Sequence, residues 1–594
     1  MFQKHGVKFI LQHKNLVLGD AVGLGKTLQI LTAFSYYKTK FRNAKMIILT
    51  NKTVVQQFES EVHKFFNGLK TISIYEFDKE EREAAYDKFV NGDIDILVSN
   101  YGSMKMDVTA PTWMKASIGT KSNSVPDSTV KTIYGEMVIK NSRVSYKIDL
   151  NKVRKKAPGQ STIVDAHNFK DKEGNKLWVK ATYTVDGDFH SLQLENQGGG
   201  KSDIKTTGKF LHDLKKLSHK KDGLFSVFDE AIVLKDPDSV VHKAGSMLSK
   251  LSTKTIAITA TVSKGQLEEA YYIFRSIGIN LVQDYKTFSK TFCMYKKSHF
   301  KIKGRQVDML VGYQNIQQFS KLIAPHFIGR AKSEVAKELP AFTMKRYVVS
   351  EDDETHSALK KIYTDSLMEN RPPNTGRLRI ALTTPQLIDD TINPKHINNK
   401  VQELIRIINN DFNDEKIVVY FDYKSPIDLL ETILPEHLPP KYKKILKITG
   451  GVNDRASVVK QFNESPNHNL LFINSAAKEG LNLQVSGHLF FMIQPYTAGD
   501  YSQIAGRISR IGTLHSNLTI HVIVQNDSSD TDSESIIQIG FKLMKQVSPA
   551  SVDDGLEQPA LLNSKFRYED SPEVLLLEGF KSRARKYISK ELSF

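Results

Sequence analysis

Four residues near the start of the sequence have the types and spacing of a phosphate-binding loop. They lie in the stretch GDAVGLGKTLQ at 19–29 and are Gly23, Gly25, Lys26 and Thr27. Glycines let backbone N–H groups turn toward phosphate oxygens, a lysine adds positive charge at the β and γ phosphates, and a threonine hydroxyl can bind magnesium. The stretch therefore predicts a nucleoside triphosphate site. The usual loop has glycine where Asp20 stands, so this residue needs its own explanation.

An acidic pair, Asp229 and Glu230, directly follows the apolar run LFSVF at 224–228. A buried strand would deliver both carboxylates to one edge of a sheet, where one can help to hold Mg²⁺ and the other can orient an attacking water. An isolated Asp-Glu pair is most often a solvated turn. Its place after an apolar strand, in a chain that also has a phosphate loop, favours hydrolysis, with Thr27 and Asp229 as the metal-binding residues.

A basic stretch much later in the chain could complete such a site. YSQIAGRISRIG at 501–512, here called the arginine segment, carries Gln503, Arg507 and Arg510. The spacing predicts two arginines on one helix face, where they could stabilise charge that builds up on a γ phosphate. A basic helix facing solvent is the alternative, which the neighbouring isoleucines make less attractive. If the loop and the arginines belong to different lobes, hydrolysis needs closure and can drive motion.

The elements that must position these residues follow an α/β pattern. Short apolar strands alternate with amphipathic helices over 1–106 and again over 222–265, and a second such pattern with five candidate strands spans 396–545. This alternation predicts two lobes, each built on a parallel sheet covered on both faces. We expect 266–395 to be a mostly helical extension and linker, and 546–594 to be a tail with a helix that braces the lobes.

Residues 107–221 interrupt the first lobe with a different pattern. Two stretches alternate apolar and polar residues with period two, which predicts antiparallel hairpins in a β-rich insertion. Over 108–220 there are 20 Lys and Arg against 11 Asp and Glu, roughly half of the excess charge of the chain. The insertion could simply shield the core, but we favour an auxiliary nucleic-acid contact, with KVRKKAPGQ at 152–160 as its basic patch.

Composition narrows the class of protein. At 594 residues the chain is too long for one hydrophobic core. A net charge of +17 favours a polyanionic partner, although a merely basic surface would also fit. The single cysteine, Cys293, excludes an intramolecular disulfide and a cysteine-built metal site, and we interpret it as a small buried apolar residue. Without a signal-like or membrane-length apolar run, we expect a cytoplasmic protein of a bacterial or virus-infected cell.

The ordered set of motifs resembles superfamily 2 helicases, and among them the Swi/Snf-like double-stranded DNA translocases. DAVGLGKT is similar to the DEMGLGKT of that family, so Asp20 matches a family trait. FQKHGVKF resembles the adenine-reading Q motif at Gln3, AITATVS resembles the third helicase motif at 259–261, and INSAAKEGLNLQ precedes the arginine segment in the family order. The resemblance covers nearly the whole chain except 107–221 and the C-terminal tail.

The resemblance implies an α/β fold of two RecA-like parallel-sheet lobes, with the β-rich insertion in lobe 1, helical extensions between the lobes, and ATP and Mg²⁺ as ligands. The implied ATP-binding residues are Gln3, Asp20, Gly23, Leu24, Gly25, Lys26 and Thr27. The implied hydrolytic residues are Lys26, Asp229, Glu230, Gln503, Arg507 and Arg510. The implied contacts with a DNA backbone, which would carry little sequence preference, are Thr50, Lys52, Tyr101, Thr449, Gly450, Ser475 and Asn482.

The chain departs from the family pattern at several places, and the insertion itself occupies a position, between the third block and the second motif, that is normally short. Ile232 replaces the histidine that links hydrolysis to the third helicase motif in relatives, and an aliphatic side chain cannot donate that hydrogen bond. The block IGRAKSEVAKELP usually carries paired arginines and here has only Arg330. We also expect no chromatin-reading module beside the motor, because the Q motif begins at Gln3.

The expected function is a DNA-dependent ATPase that moves on DNA. A rigid β module beside the duplex could engage a second arm or split strands, so we favour remodelling of branched DNA, such as fork regression or branch migration, in replication, recombination or repair. A translocase that displaces bound proteins without unwinding is an alternative, as is an ATP-gated DNA clamp. RNA is a less favoured track.

Overall fold

The structure, a computed structural model, describes residues 2–558 apart from short gaps, together with a few residues beyond 558. The gaps are residues 22, 109–112, 120–125, 142, 157–160, 171–172, 175, 187, 219–222, 303–304, 336–338, 370, 453, 479–480, 511–512, 549–551 and 554. Beyond 558 the described residues are 576, 579–580, 583–584 and 586–587. The brace helix expected in the tail therefore lies mostly outside the described residues. Within them, no helix combines the length and apolar character needed to cross a membrane.

The first lobe is built on seven strands that pair in parallel throughout. Across the sheet they are Phe327–Ile328, Asn15–Leu18, Lys254–Ile258, Leu224–Phe228, Lys45–Thr50, Ile96–Asn100 and Thr71–Ser73. Side chains that alternate along these strands enter two separate apolar clusters, one on each face. The α-helices of this lobe are Phe2–Gln12, Lys26–Lys40, Val55–Phe65, Lys79–Asn91, Tyr101–Asp107, Lys209–Ser218, Val240–Leu251 and Leu267–Ser276.

The second lobe repeats this architecture with six parallel strands. In order they are Phe342–Val349, Leu518–Gln525, His488–Phe491, Ile417–Tyr420, Leu470–Ile473 and Ile445–Ile448. Its α-helices are Asp353–Met368, Thr375–Ala381, Asn399–Asp411, Lys424–Ile433, Arg455–Glu464, Ala498–Ala505 and Ser529–Val547. The predicted fold class, two parallel α/β lobes with a β-rich insertion, is confirmed.

The insertion folds around an apolar core of its own. Its two antiparallel sheets have the strand orders Trp113–Gly119, Arg143–Asp149, Gly135–Lys140, Ser128–Lys131 and Lys205–Thr207, Phe189–Asn196, Lys176–Asp186, Ser161–Lys170. A short helix, Leu150–Lys156, follows the first sheet. The hairpins expected from the period-two pattern are present, while most of the basic run at 152–160 lies outside the side chains that the structure describes.

The insertion ends earlier than the sequence pattern suggests. Helix Lys209–Ser218 packs on the first lobe, where the Phe210 ring stacks on the Tyr86 ring with centroids 3.7 Å apart. Phe210, Leu214 and Leu217 all belong to the apolar cluster of that lobe. The boundary expected at 221 therefore moves to about 208, because this helix carries an apolar stripe that only the lobe can bury.

The segment 266–395 is not purely helical. It contains an antiparallel hairpin of Cys293–Ile302 and Arg305–Tyr313, flanked by helices Tyr285–Phe292 and Ile316–Ile323. A Lys-Gly pair separates two runs rich in aromatic and β-branched residues, which is a hairpin signal. This segment also supplies edge strands to both lobe sheets and the short linker helix Lys332–Val335.

The helix Ser529–Val547 is the described element that joins the two lobes. Phe541 and Met544 lie in the apolar cluster of the second lobe, whereas Leu543 and Val547 lie in that of the first. Its acidic first turns are matched by cations: Asp530 and Asp532 pair with the buried Lys400 and Arg583, and Glu534 pairs with the more exposed Arg346. The bracing role expected of the tail belongs, among the described elements, to this helix.

We expect the Lys400→Met variant to lower the free energy of unfolding by about 3 kcal/mol, because it leaves the Asp530 carboxylate buried without its cation. The Lys400 ammonium is 2.6 Å from that carboxylate, and the two side chains are 1% and 4% exposed. Urea denaturation followed by circular dichroism measures the change. The matched control is Lys395→Met, whose partner Glu436 is 62% exposed, and it should change stability by less than about 0.5 kcal/mol. Equal effects of both variants would contradict this account.

Candidate nucleotide-binding and hydrolysis site

The loop before helix Lys26–Lys40 has the backbone of a phosphate cradle. Gly23 and Gly25 have φ angles of +89° and +72°, in the left-handed region that glycine adopts without strain. Gly25 directly precedes the helix, so the unpaired N–H groups of the first turn are available to an anion. Lys26 and Thr27 are the first two helical residues, which is where the sequence pattern predicts phosphate and metal contacts.

The Lys26 ammonium lies inside this loop. Its Nζ donates hydrogen bonds to the backbone oxygens of Asp20 (2.7 Å) and Ala21 (3.2 Å). Burial lowers the pKa of Lys26, while the nearby Glu230 and Asp229 oppose that shift. The charges of the two acidic residues predicted to act in hydrolysis therefore act on the phosphate-loop lysine.

Asp229 and Glu230 follow strand Leu224–Phe228, and their arrangement is costly. Burial is the main cause that raises the pKa of Asp229 to about 7, and the negative charge of Glu230 acts in the same direction. Glu230 has φ +48° and ψ +51°, a left-handed conformation that is strained for a residue with a Cβ. Its Oε2 is buried and has no hydrogen-bond partner among the described residues.

These features fit a divalent cation. A cation beside these two half-buried carboxylates would favour both charged forms and would satisfy the orphaned oxygen. Oxygen ligands are those that Mg²⁺ prefers, and Asp229 with the Thr27 hydroxyl would supply them.

Two residues predicted to contact nucleic acid support Asp229. The Thr50 hydroxyl donates to Asp229 Oδ2 (2.7 Å), and the Tyr101 hydroxyl donates to the Asp229 backbone oxygen (2.7 Å). Thr50 is fully buried and Tyr101 is 8% exposed. Both hydroxyls are thus engaged by Asp229, Thr50 at the carboxylate and Tyr101 at the backbone, and the role of these residues as strand contacts stays a prediction.

The other five predicted strand contacts divide by exposure. Thr449 is buried, so its side chain is not presented to a strand. Four positions are exposed and keep their predicted role, namely Lys52, Gly450, Ser475 and Asn482.

Asp20 has a structural role that explains why glycine is absent here. Its fully buried carboxylate accepts hydrogen bonds from Arg330 Nε (2.7 Å), Arg330 Nη2 (2.6 Å), the Arg330 backbone N–H (3.1 Å) and Gln29 Nε2 (2.9 Å). The Arg330 guanidinium also donates to the Phe2 backbone oxygen and lies 5.1 Å from the centroid of the Phe2 ring. Asp20 therefore ties the phosphate loop to the first helix and to the segment between the lobes.

The predicted adenine-recognition residue, Gln3, also lies against the loop. Its Nε2 donates to the Leu24 backbone oxygen at 3.4 Å. The side chain of Leu24 is buried, so its packing stabilises the loop.

The arginine segment is not one continuous helix. Helix Ala498–Ala505 ends before Arg507, so the spacing argument for a shared helix face is wrong. Gly506 closes the helix, and the Arg507 backbone oxygen accepts a hydrogen bond from Leu483 N–H (3.1 Å), a tertiary contact that redirects the chain.

The predicted side chains of this segment are all withdrawn from bulk solvent. Gln503 and Arg507 are 9% and 5% exposed. Burial lowers the pKa of Arg510, and its Nε has no hydrogen-bond partner in the part of the chain that the structure describes. A half-buried guanidinium with an unsatisfied N–H can bind an anion.

Lys332 connects the arginine segment to the phosphate loop, and sequence reasoning gave it no role. Its buried Nζ donates to the Ser509 backbone oxygen (2.9 Å) and to Asp553 Oδ2 (2.9 Å). Its charge also contributes to the lowered pKa of Lys26. Ser509 lies between the two arginines, so that segment approaches the lysine of the loop from the second lobe. Only tertiary burial distinguishes Lys332 from the other lysines of its block.

A direct ion pair also joins the lobes. Lys264, just after the third helicase motif, contacts Asp500 at 2.6 Å, and both side chains are mostly buried. A Cβ on Gly499 would approach the Lys264 backbone to 3.1 Å, so glycine permits this close contact.

Ile232 does not provide the link that a histidine gives in relatives. Its side chain lies in the apolar cluster of the first lobe. In the third helicase motif, the buried Thr261 Oγ1 has no hydrogen-bond partner within the described ranges. The Lys264–Asp500 pair thus joins a residue just after this motif to the residue just before the arginine segment, and it does not depend on residue 232.

Comparisons with known proteins find families that match most of the chain. The profile of the SNF2-related domain matches residues 2–411, and that of the helicase conserved C-terminal domain matches residues 399–512. An uncharacterized ATP-dependent helicase of Mycoplasma genitalium is 22% identical over 356 residues, 58% of this chain and 32% of that protein. A SWI/SNF-related, matrix-associated, actin-dependent regulator of chromatin, subfamily A-like protein 1 from Xenopus laevis, is 22% identical over 361 residues, 60% and 36% of the two chains.

The chain thus spans about a third of the length of these two relatives. Among solved structures, the Sulfolobus solfataricus SWI2/SNF2 ATPase core in complex with dsDNA is similar, with 15% identity and a TM-score of 0.34. The similarity covers 100% of this chain and 97% of that one.

We expect Arg330→Lys to raise the Kd of a fluorescent ATP analogue about tenfold, because a lysine cannot reproduce the two-pronged contact that fixes the phosphate loop through Asp20. Fluorescence titration measures the affinity. Arg406→Lys is the matched control, since Arg406 makes an equally two-pronged contact with Glu403 but on the surface. An unchanged Kd in a folded Arg330→Lys protein would show that the loop does not need this anchor.

Proposed function

The chain belongs to the family of the SNF2-related domain, and from this premise we propose that it couples ATP hydrolysis to movement on DNA and remodels branched DNA. One observation carries the proposal. The charges of Asp229, Glu230 and Lys332 all act on the Lys26 ammonium of the first lobe, and Lys332 donates to the backbone oxygen of Ser509 in the arginine segment of the second. The residues that would bind the nucleotide are therefore coupled to a contact that sets the position of the second lobe. The name of the Mycoplasma genitalium relative, an ATP-dependent helicase, supports the same activity.

The described residues supply the groups that hydrolysis needs. Lys26 would exchange its bonds to the loop carbonyls for phosphate oxygens, and Thr27 with Asp229 would hold Mg²⁺. The bound ion would neutralise negative charge on the β and γ phosphates. Glu230 would orient the attacking water and accept its proton, which its uncommitted Oε2 permits.

The second lobe would complete this site. Arg507 and Arg510 would stabilise the charge that develops during phosphoryl transfer, with Gln503 beside them. The Lys264–Asp500 pair would transmit their displacement to the first lobe, and helix Ser529–Val547 would keep the lobes together as they move. The exposed strand-contact residues would hold phosphates, so binding should weaken steeply with salt.

The insertion is the reason to favour branched DNA. It has a core separate from those of the lobes, and over 113–207 its 16 basic residues against 10 acidic ones favour a polyanion. A rigid module beside the track can engage a second arm. Displacement of bound proteins without unwinding, an ATP-gated clamp and movement on RNA remain alternative outcomes of the tests below.

We expect Lys26→Ala to reduce ATP turnover at least a hundredfold, because the variant loses the charge that contacts the transferred phosphate. A phosphate-release assay with and without duplex DNA measures the rate. Lys40→Ala, at the exposed end of the same helix, is the control and should hydrolyse ATP normally. DNA-stimulated hydrolysis that survives in Lys26→Ala would refute the assigned site, and DNA binding without turnover in the unaltered protein would favour the clamp.

We expect a Gly-Ser linker in place of 113–207 to leave basal and duplex-stimulated hydrolysis intact and to lower activity on forks and four-way junctions about tenfold. The strands Trp113–Gly119 and Lys205–Thr207 contact each other, so a short linker can span the cut, and helix Lys209–Ser218 is kept because it completes the first lobe. ATPase stimulation by single strands, duplex, forks, junctions and RNA measures the change. An equal loss on plain duplex would make the insertion part of the duplex track.

A further inference from the structure

One face of the first sheet of the insertion is basic and carries an exposed tryptophan. Along its four strands alternate residues enter the core of the insertion, and the residues between them face outward. The outward residues Ser117 and Ser145 join across neighbouring strands, with hydroxyls 2.8 Å apart. The basic residues of this outward face are Lys115, Lys131, Lys140, Arg143 and Lys147, and its acidic residues are Glu136 and Asp149.

Trp113 is the unusual member of this face. Its side chain is 56% exposed, although a large aromatic group gains most from burial. The Lys147 ammonium lies 5.3 Å from the centroid of the indole ring, on the same face. Trp113, Lys131, Lys147 and Lys152 line an open pocket of about 520 Å³, which is within the range of small-ligand sites.

We propose that this outward face binds an unpaired strand of DNA, with one base stacked on Trp113 and the flanking phosphates on Lys131, Lys147 and Lys152. Bases in a duplex are already stacked on each other, so an exposed indole adds affinity only for unpaired bases. The lysines supply the charge that tracks a backbone. Glu136 and Asp149 also line the pocket, with Glu136 directly opposite both Lys131 and Lys147 and Asp149 directly opposite Trp113, so the phosphates would contact these lysines on the side away from the two carboxylates.

This proposal deepens the proposed function. It rests on that function only in one respect, because the motor would supply the single strand that the face binds. A motor that separates a fork releases a single strand, and capture of that strand beside the first lobe would oppose reannealing. Recognition itself needs neither ATP nor lobe closure, since the sheet has its own core. Strand binding and hydrolysis can therefore be measured separately.

The two tryptophans of the chain, Trp113 and Trp178, allow a direct test by fluorescence. In the full-length Trp178→Phe protein the indole of Trp113 is the sole reporter, and base stacking quenches indole emission. We expect oligo-dT to quench this protein and not the Trp113→Phe protein, whose reporter is the half-buried Trp178. Absence of quenching at saturating oligo-dT in the Trp178→Phe protein, or equal quenching of both proteins, would overturn the assignment of Trp113.

Affinity provides the second test, in the full chain without nucleotide. We expect Trp113→Ala to raise the Kd for oligo-dT about tenfold, Trp113→Phe to recover part of that loss, and duplex affinity to change less than twofold. Circular dichroism checks folding, and Lys147→Ala, which keeps the indole, should weaken oligo-dT binding and reduce its salt dependence. Equal weakening for duplex would overturn the stacking account, and a preference for oligo-U over oligo-dT would overturn the assignment to DNA.

Duplex-stimulated hydrolysis separates this proposal from the motor itself. Trp113→Ala should keep duplex-stimulated hydrolysis. If the unaltered protein shows no such hydrolysis, the motor proposal fails, but the quenching experiment still tests the strand site. If Trp113→Ala lost duplex-stimulated hydrolysis while oligo-dT binding stayed unchanged, the face would belong to the motor track and the single-strand site would be refuted.

Discussion

The buried contact between Asp20 and Arg330 is the interaction on which the nucleotide site depends. A fully buried carboxylate must be matched by charge and hydrogen bonds, and Arg330 supplies three of them from the segment that connects the lobes. Two residues later, Lys332 binds Ser509 of the arginine segment. Residues 330–332 therefore contact both halves of the site. A displacement of the phosphate loop would consequently shift the contact between Lys332 and the second lobe.

The same site stores unfavourable energy that a ligand would relieve. Glu230 has a strained backbone and an oxygen without a partner among the described residues, and Asp229 is held beside it in a half-buried position. Thr50 and Tyr101 fix Asp229 in place, so the two carboxylates cannot simply move apart. The parallel sheet below the site maintains this strained backbone, and a bound cation would offset the repulsion between the two carboxylates.

The sequence predicted what depends on local chemistry and missed what depends on tertiary contact. Apolar strands and the glycines of the phosphate loop follow from short patterns, and these were found where expected. Thr50 and Tyr101 were assigned to the strand groove because residues at a sheet edge can face either a ligand or a neighbouring carboxylate, and sequence does not distinguish the two. The helix expected through Arg507 ends at Ala505, because a contact from Leu483 competes with the helical hydrogen bond. Lys332 carries no local signal at all.

The insertion shows why a second nucleic-acid surface can be added to a motor of this kind without disturbing the first. Its sheets bury their apolar faces against each other, so the lobe contributes little to their stability and its outward face is free to vary. Helix Lys209–Ser218, by contrast, completes the core of the first lobe, and the stacked rings of Phe210 and Tyr86 fix the place where the insertion leaves it. A surface with an indole and several lysines on such a base is rigid, and rigid stacking platforms lose little conformational entropy on binding. The outward face is therefore constrained only by chemical complementarity to its partner. The hydrolytic site, by contrast, is constrained by the contact between Asp20 and Arg330.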